Sequence, residues 1–575
     1  MKTLFTNGIF HTMEVPEDLC GSIVVEDGLI AALDAPAGGR EPLDADALER
    51  GGLRVVDLGG RHVFPALIDS HLHLMDSLML AAAGEPLCAL RGGRVEPHDL
   101  AGVAARVRAS AARAAEALRE PSGPRAARRP SPILAFTSYM ASAIEEGRLP
   151  TRRELDEWAG GAPVWVMSMD GHSGSCSTAL LAELGLLGRV PDDGILQEAD
   201  YDAALGPLTQ RLMAGLTPTA LARGAARFCN ECASFGIGTV CAHEGDDAAG
   251  GPGGRDRTGE LAAAIAQRLP LDLRLYPQYM DEAKLARVAG RMGAPRAGGC
   301  MKWELDGSVG SHSAAFDAPY LDGTRGALKF STEELDAKIH SLDARGCQVT
   351  AHAIGELAIE QLLGIYERLG AGGATGGDGA PAAVGSGSAA SAAPCRHRID
   401  HCEFPAPAEV ERLCALRPFV TVQPGYAWFD ARWLHSYERA LPPEKRAQEL
   451  PLRTLARAGV PLLGSSDSPV QSVNPYLQMR GMREPYVEGE GLSAFEALQT
   501  YTVNGGRSLG EKKGLLREGW EASFFAVDCD LERIPPDRLE GLRASALWLH
   551  GKRYRPLPED DRALARLATT PPRKI

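Results

Sequence analysis

Phe64-Pro-Ala-Leu-Ile-Asp-Ser-His-Leu-His-Leu-Met75 decides the fold of this chain. An apolar run over Val63–Asp69 reads as a buried strand, and a helix-like segment follows it. Between them stands His71-Leu72-His73. Alternate residues of a strand share a face, so two such imidazoles at a strand end can converge on one metal ion. The C-terminal end of a parallel strand is where barrel enzymes place their chemistry.

Working outward, seven more apolar runs have the same character: Ile237–His243, Leu273–Pro277, Cys300–Glu304, Gln348–His352, Arg398–His401, Phe419–Gln423 and Pro461–Ser465. Ala- and Leu-rich helical segments alternate with them, which implies a parallel sheet. Eight such units imply closure into an α/β (β/α)8 TIM barrel over residues 63–512. The stretch from about 85 to 235 is too long for one crossover helix and holds strands of its own, PILAFTSY and APVWVMSM. It reads as an inserted subdomain after strand one, of the kind that forms lids or substrate walls.

The two ends of the chain share a different texture. Short apolar runs broken by N-G, D-G and G-G fill residues 1–62, and similar runs fill 513–558. They predict one small β-sandwich domain built from both chain ends. Residues 370–394 are low-complexity and read as a flexible loop, with a shorter one at AAGGPGGR, 248–255. Residues 559–575 form a polar, helix-like tail.

Composition narrows the function classes. The 575 residues are 44% hydrophobic and 24% charged, as in ordinary globular proteins. A net charge of −14 with no basic stripe argues against nucleic acid as a partner. The N-terminal residues lack the apolar core of a signal peptide, and no apolar run approaches the ~20 residues needed to cross a bilayer. No membrane association and a cytoplasmic location are therefore expected. Twelve cysteines show no framework spacing, and the close pair Cys229 and Cys232 reads as reduced buried thiols.

Candidate ligands recur where the barrel reading puts chemistry. His352 ends QVTAHA, His401 ends RIDHCE, Asp467 follows PLLGSSDSP, and Lys302 lies in CMKWELDGS. Singly, each has a plain structural explanation, such as a cap or an ion pair. Together they end separate strands of one barrel. Imidazoles and carboxylates are the usual ligands of catalytic zinc. Lysine carboxylated by CO₂ becomes a carbamate whose two oxygens can bridge two ions. Asp467 can then be both a metal ligand and the general base that moves a proton from water to the leaving nitrogen.

With these motifs in hand, the chain resembles the amidohydrolase superfamily, and within it amidohydrolase family 3, the branch of N-substituted formamide deformylases. The resemblance runs from NGIFHTM through DLGGRHVFPALIDSHLHL, MKWELDGSVGSHSAAF, VTAHAIGELAIEQLL and RIDHCEF to LARAGVPLLGSSDSPVQSVNP and FEALQTYTVNGGRSLGEKKGLLREG. It implies metal ligands at His71, His73, His352, His401 and Asp467, with Lys302 as a carboxylated bridge. The implied cofactor is divalent metal, two zinc ions, with a one-metal site if Lys302 is unmodified. It also implies that His172, in a D-G-H motif of the inserted segment, reaches the pocket to polarise a carbonyl or position a leaving group. Gln423 and Tyr426 end strand seven and read as substrate contacts. Asp306, His62, His243, His312, His397 and His435 read as structural.

Ala66 stands where the family usually has glycine, Ser177 and Thr178 replace an Asn-Ser, Ser465 replaces the glycine before S-D, and REGWEASFFAVD departs from the usual G-K-x-A-D-L. No expected ligand is missing. The expected activity is hydrolysis of a non-peptide C–N bond in a small molecule: an amide, cyclic amide or N-formyl compound. A metal-dependent deaminase and a non-catalytic barrel used for binding or assembly are the alternatives. The resemblance also implies a homodimer.

Overall fold

Hydrogen bonding hands the chain from one sheet to another across a single residue, Ala66. Its amide donates to Ser523 O at 2.9 Å, and the next amide, Leu67 N, donates to Gly236 O at 2.9 Å. Val63–Asp69 is therefore not one strand. His62–Pro65 pairs antiparallel with Phe524–Val527, and the first barrel strand, β1, is Leu67–Leu72. The computed structural model describes residues 2–33, 54–91, 94–117, 132–169, 171–245, 258–289, 295–372 and 395–572. The low-complexity loop from residue 373 to 394, the stretch 248–255 and Asp170 lie outside the described residues.

The other barrel strands are β2 (Ile237–Glu244), β3 (Asp272–Pro277), β4 (Arg296–Glu304), β5 (Gln348–Ala353), β6 (Arg398–His401), β7 (Phe419–Val422) and β8 (Leu462–Gly464). They are parallel and hydrogen-bonded in the orders β1-β2-β3 and β4-β5-β6-β7-β8. Packing of β3 beside β4 and of β8 beside β1 completes the ring. At its mouth Asp467 N donates to His71 O at 2.9 Å and His73 N to Ser468 O at 2.8 Å, stitching the end of β1 to the loop after β8. Every residue of β1 and β2 is buried, as expected where helices cover one face of a parallel sheet and the barrel interior the other.

Strand β4 begins four residues earlier than the apolar run suggests. Gly298 and Gly299 adopt φ of +97° and +141°, and the pairing with β5 slips between Gly299 and Glu304. A side chain on Gly298 would sit 1.9 Å from Thr350 O, so only glycine admits this bulge.

Between β1 and β2 the chain builds a separate five-stranded sheet from Gly84–Pro86, Leu134–Tyr139, Val164–Ser168, Ser173–Cys176 and Ile195–Gln197. Helix α1 (Leu74–Ala83) leads into it, and α2 (Ala199–Gly215) leads out. Helix α3 (Pro218–Ser234) belongs to the barrel, so the inserted stretch ends nearer 216 than 235. Its Phe228, Cys229 and Cys232 are buried in the main core, and Gly224 lies where a Cβ would meet Leu78 O of α1 at 2.3 Å. Cys229 and Cys232 are free, buried thiols.

The chain ends contribute a four-stranded sheet and a six-stranded sheet. Phe5, Phe10, Val63, Phe524 and Trp548 share one core between them. Residues 562–569 of the tail are helical and bury Ala563 and Leu567 in the main core. Among the described residues no helix is long and apolar enough to cross a membrane.

Candidate functional site

Side chains from the C-terminal ends of six strands, or the loops just beyond them, meet at one mouth of the barrel. Asp467 Oδ1 lies 3.3 Å from His71 Nε2 and 3.3 Å from His73 Nε2. It is buried and, among the described residues, has no hydrogen-bond partner. Asp467 itself has φ +55°, a left-handed conformation uncommon outside glycine. Ligand–zinc bonds of about 2.0–2.2 Å in a tetrahedron put neighbouring N and O donors about 3.3–3.5 Å apart. The spacing therefore suits a shared cation.

The imidazoles are aimed by what their other nitrogens touch. His71 Nδ1 lies 2.9 Å from Asp400 Oδ2, and Asp400 is held in turn by Arg398 at 2.9 Å. His401 Nδ1 lies 2.9 Å from Gln423 Oε1, while Gln423 Nε2 donates to Ser465 Oγ at 2.8 Å. His352 Nε2 lies 3.2 Å from Gly307 O. One nitrogen anchored and one turned inward is the usual wiring of metal-binding histidines.

The inward nitrogens of His71, His352 and His401 surround a residue the motifs did not single out. Cys300 Sγ is 3.3 Å from His71 Nε2, 3.6 Å from His352 Nδ1 and 3.4 Å from His401 Nε2. The Gly298–Gly299 bulge brings it there. Lys302 is on the same strand, and its side chain lies outside the described residues. With nitrogen, carboxylate and thiol donors converging, and a buried carboxylate oxygen lacking a partner among the described residues, the residues fit a divalent metal.

The anionic groups of this pocket attract positive charge, which the imidazoles supply as protons. Burial opposes charge on His73, yet Asp467 and Cys300 beside it raise its imidazole to about 10. Burial likewise opposes charge on Asp467, and the neighbouring His71 and His73 hold its carboxyl well below the usual range. Burial raises Asp69 to about 6; its Oδ1 accepts from Ser466 N at 3.1 Å and His71 N at 3.3 Å, tying β1 to the loop after β8.

His243 stacks on His71 at 4.1 Å between ring centroids and sits one layer down, with Nδ1 3.2 Å from Gly298 O. Asp306 accepts from the amides of Ile354, Ala315 and Gly355 at 3.0, 2.9 and 2.8 Å, a loop-holding role as expected.

His172 is 8% exposed and arrives from the inserted sheet. Its ring centroid is 5.6 Å from that of His352, and its Nε2 is 3.8 Å from Glu304 Oε1. His172, Gln423 and Tyr426 all line one cavity with the metal-type donors, enclosing about 1430 Å³ including its open mouth. The rest of the lining includes apolar side chains, with Phe136 and Trp165 from the inserted sheet and Leu205 and Leu208 from α2.

A sequence model described as the amidohydrolase family matches residues 54–554. The putative amidohydrolase YtcJ of Bacillus subtilis is 23% identical over 578 residues, covering 96% of this chain and 99% of the relative. The N-substituted formamide deformylase of Arthrobacter pascens is 23% identical over 592 residues, covering 95% and 97%. A crystal structure of an uncharacterized metal-dependent hydrolase from Pyrococcus horikoshii shares the fold with a TM-score of 0.66 at 21% identity, covering 94% of this chain and all of that one.

Proposed function

The chain belongs to the amidohydrolase family, and we propose that it is a metal-dependent hydrolase of a non-peptide carbon–nitrogen bond, in an amide, cyclic amide or N-formyl compound. The observation that carries this reading is Asp467 Oδ1: buried, without a hydrogen-bond partner among the described residues, and 3.3 Å from two imidazole nitrogens. A cation shared with those nitrogens satisfies all three groups at once, with both imidazoles neutral.

His71, His73, His352, His401 and Asp467 are the proposed ligands of two zinc ions. The central anion has two claimants, the carboxylated Lys302 and the thiolate of Cys300; the position of Cys300 Sγ favours the second. When bound, divalent metal supplies the positive charge that lowers the pKa of water towards neutrality. Asp467 takes the proton of the attacking water and returns it to the departing nitrogen. His172 faces the substrate carbonyl or the leaving nitrogen, and Gln423 and Tyr426 border the substrate. Residues 84–216 form a subdomain that contributes apolar side chains to the cavity wall, and the two sheets of the chain ends form a β-sandwich. The name of the formamide deformylase relative brings N-formyl compounds into the substrate set.

The test is a panel of formamides, acetamides, cyclic amides and amidines, run on zinc-loaded protein and on Asp467→Asn. Release of amine from an amide that requires both metal and Asp467 supports the reading. Ammonia released only from amidines makes the protein a deaminase.

A further inference from the structure

The strongest feature the site does not yet use is Glu198, at the head of α2. Its backbone has φ +44° and ψ −114°, sparsely populated for any residue with a side chain. Four sets of contacts hold it there. Glu198 N donates to His172 O at 3.1 Å. Its Oε1 accepts from Ser311 Oγ and Ser313 Oγ, both at 2.5 Å. Its Oε2 is 3.2 Å from Lys329 Nζ. And Oε1 lies 3.5 Å from His172 Nδ1, on the side of the ring away from the cavity's Glu304 contact.

Backbone and side chain of one residue thus grip His172. Ser311 and Ser313 come from the loop after β4, 113 and 115 residues away in sequence. The clamp therefore joins the inserted sheet, which delivers His172, to the barrel strand that delivers Cys300. Lys329 meets Glu304 and Asp202 as well as Glu198 and keeps the carboxylates together.

A neutral imidazole has one N–H and one lone pair, and the group bonded to one nitrogen sets what the other offers. A carboxylate at Nδ1 fixes the proton there and leaves Nε2 towards the cavity; a carboxylate also stabilises the imidazolium if Nε2 takes up a proton.

We infer that Glu198 is the positioning residue of His172, fixing its tautomer and ring orientation so that Nε2 faces the substrate. The inference rests on the proposed role of His172 in amide hydrolysis. The 3.5 Å separation lies in the range such contacts often show without substrate.

The test uses zinc-loaded, full-length protein, with formanilide as the substrate. E198A and E198Q lower kcat about 10–100-fold, with KM and zinc content near wild type, and E198D recovers part of the loss. In the H172A background, E198A costs nothing further, because Glu198 acts through that ring. With ¹⁵N-histidine labelling, the His172 resonances, assigned by their absence in H172A, shift to the other tautomer or to exchange in E198Q. Equal losses from E198A with and without His172, or unchanged His172 resonances in E198Q, overturn the inference. A wild type that does not hydrolyse formanilide or any other amide defeats the hydrolase reading instead. The nitrogen resonances then decide the Glu198–His172 pairing by themselves.

Discussion

Asp400→Asn tests whether His71 offers Nε2 to a metal. In the native chain the two carboxylate oxygens of Asp400 serve two donors, Arg398 Nη2 and His71 Nδ1, both at 2.9 Å. All three side chains are fully buried. Asparagine keeps one oxygen. If it faces His71, the amide NH₂ confronts the Arg398 guanidinium, donor against donor, and a buried charge left without its partner costs about 3–5 kcal/mol. If it faces Arg398, the NH₂ points at His71 Nδ1, which must then accept. The ring proton moves to Nε2, and that nitrogen no longer has a lone pair for a metal.

The second arrangement retains the hydrogen bond to Arg398 and is the cheaper. Loss of such an outer partner typically lowers metal affinity about 10–100-fold, or about 1.4–2.7 kcal/mol. Zinc affinity by competition with a chelating dye should fall by that factor, while the urea midpoint of the metal-free protein changes much less than breaking a buried ion pair implies. D400N with wild-type zinc affinity would refute the assignment of His71 Nε2 as a donor.

Three further outcomes follow from named contacts. Gly298→Ala forces a Cβ to 1.9 Å from Thr350 O at φ +97°, so the urea midpoint should drop by the equivalent of at least about 2–4 kcal/mol. Gly147→Ala, at φ +65° with open space around it, should cost about 1 kcal/mol, and equal costs would undo the argument for the β4 bulge. The Arg148 guanidinium and the Thr151 cap hold Glu154 at about 2. A depressed acid stabilises above its unfolded pKa and loses that contribution as pH falls through the folded value. The stability advantage of wild type over E154Q should therefore shrink steadily from about pH 4.5 downwards, and a pH-independent difference contradicts it. Cobalt(II)-loaded protein should show a sulfur-to-metal charge-transfer absorption that C300A lacks; the same band in C300A removes the thiol from the donor set.

The barrel was readable because parallel strands are apolar runs and their chemistry collects at one end. Position raised His71, His73, Lys302, His352, His401 and Asp467 as candidates for that reason, and the family resemblance made them a ligand set. The boundary at Ala66 was not readable, since both halves of the run are equally apolar and only the change of hydrogen-bond partner separates them. Cys300 went unnoticed because a cysteine inside an apolar strand looks like any buried thiol. The signal lay just before it, in Gly298–Gly299, a pair that weakens a strand unless a bulge needs it. Asp400 had a signal too: Arg398 and Asp400 alternate in the strand Arg398–His401, and so share a face. For Glu198 no local pattern exists, because its partners come from a loop more than a hundred residues away.

Metal content measured alongside turnover bears most directly on the whole account. Purified wild-type protein, assayed by elemental mass spectrometry and with the amide panel, should carry tightly held zinc or a similar divalent ion. It should lose amide hydrolysis on chelation and regain it on re-addition, with D467N inactive throughout. Undiminished hydrolysis by metal-stripped protein, or full activity in D467N, would contradict it.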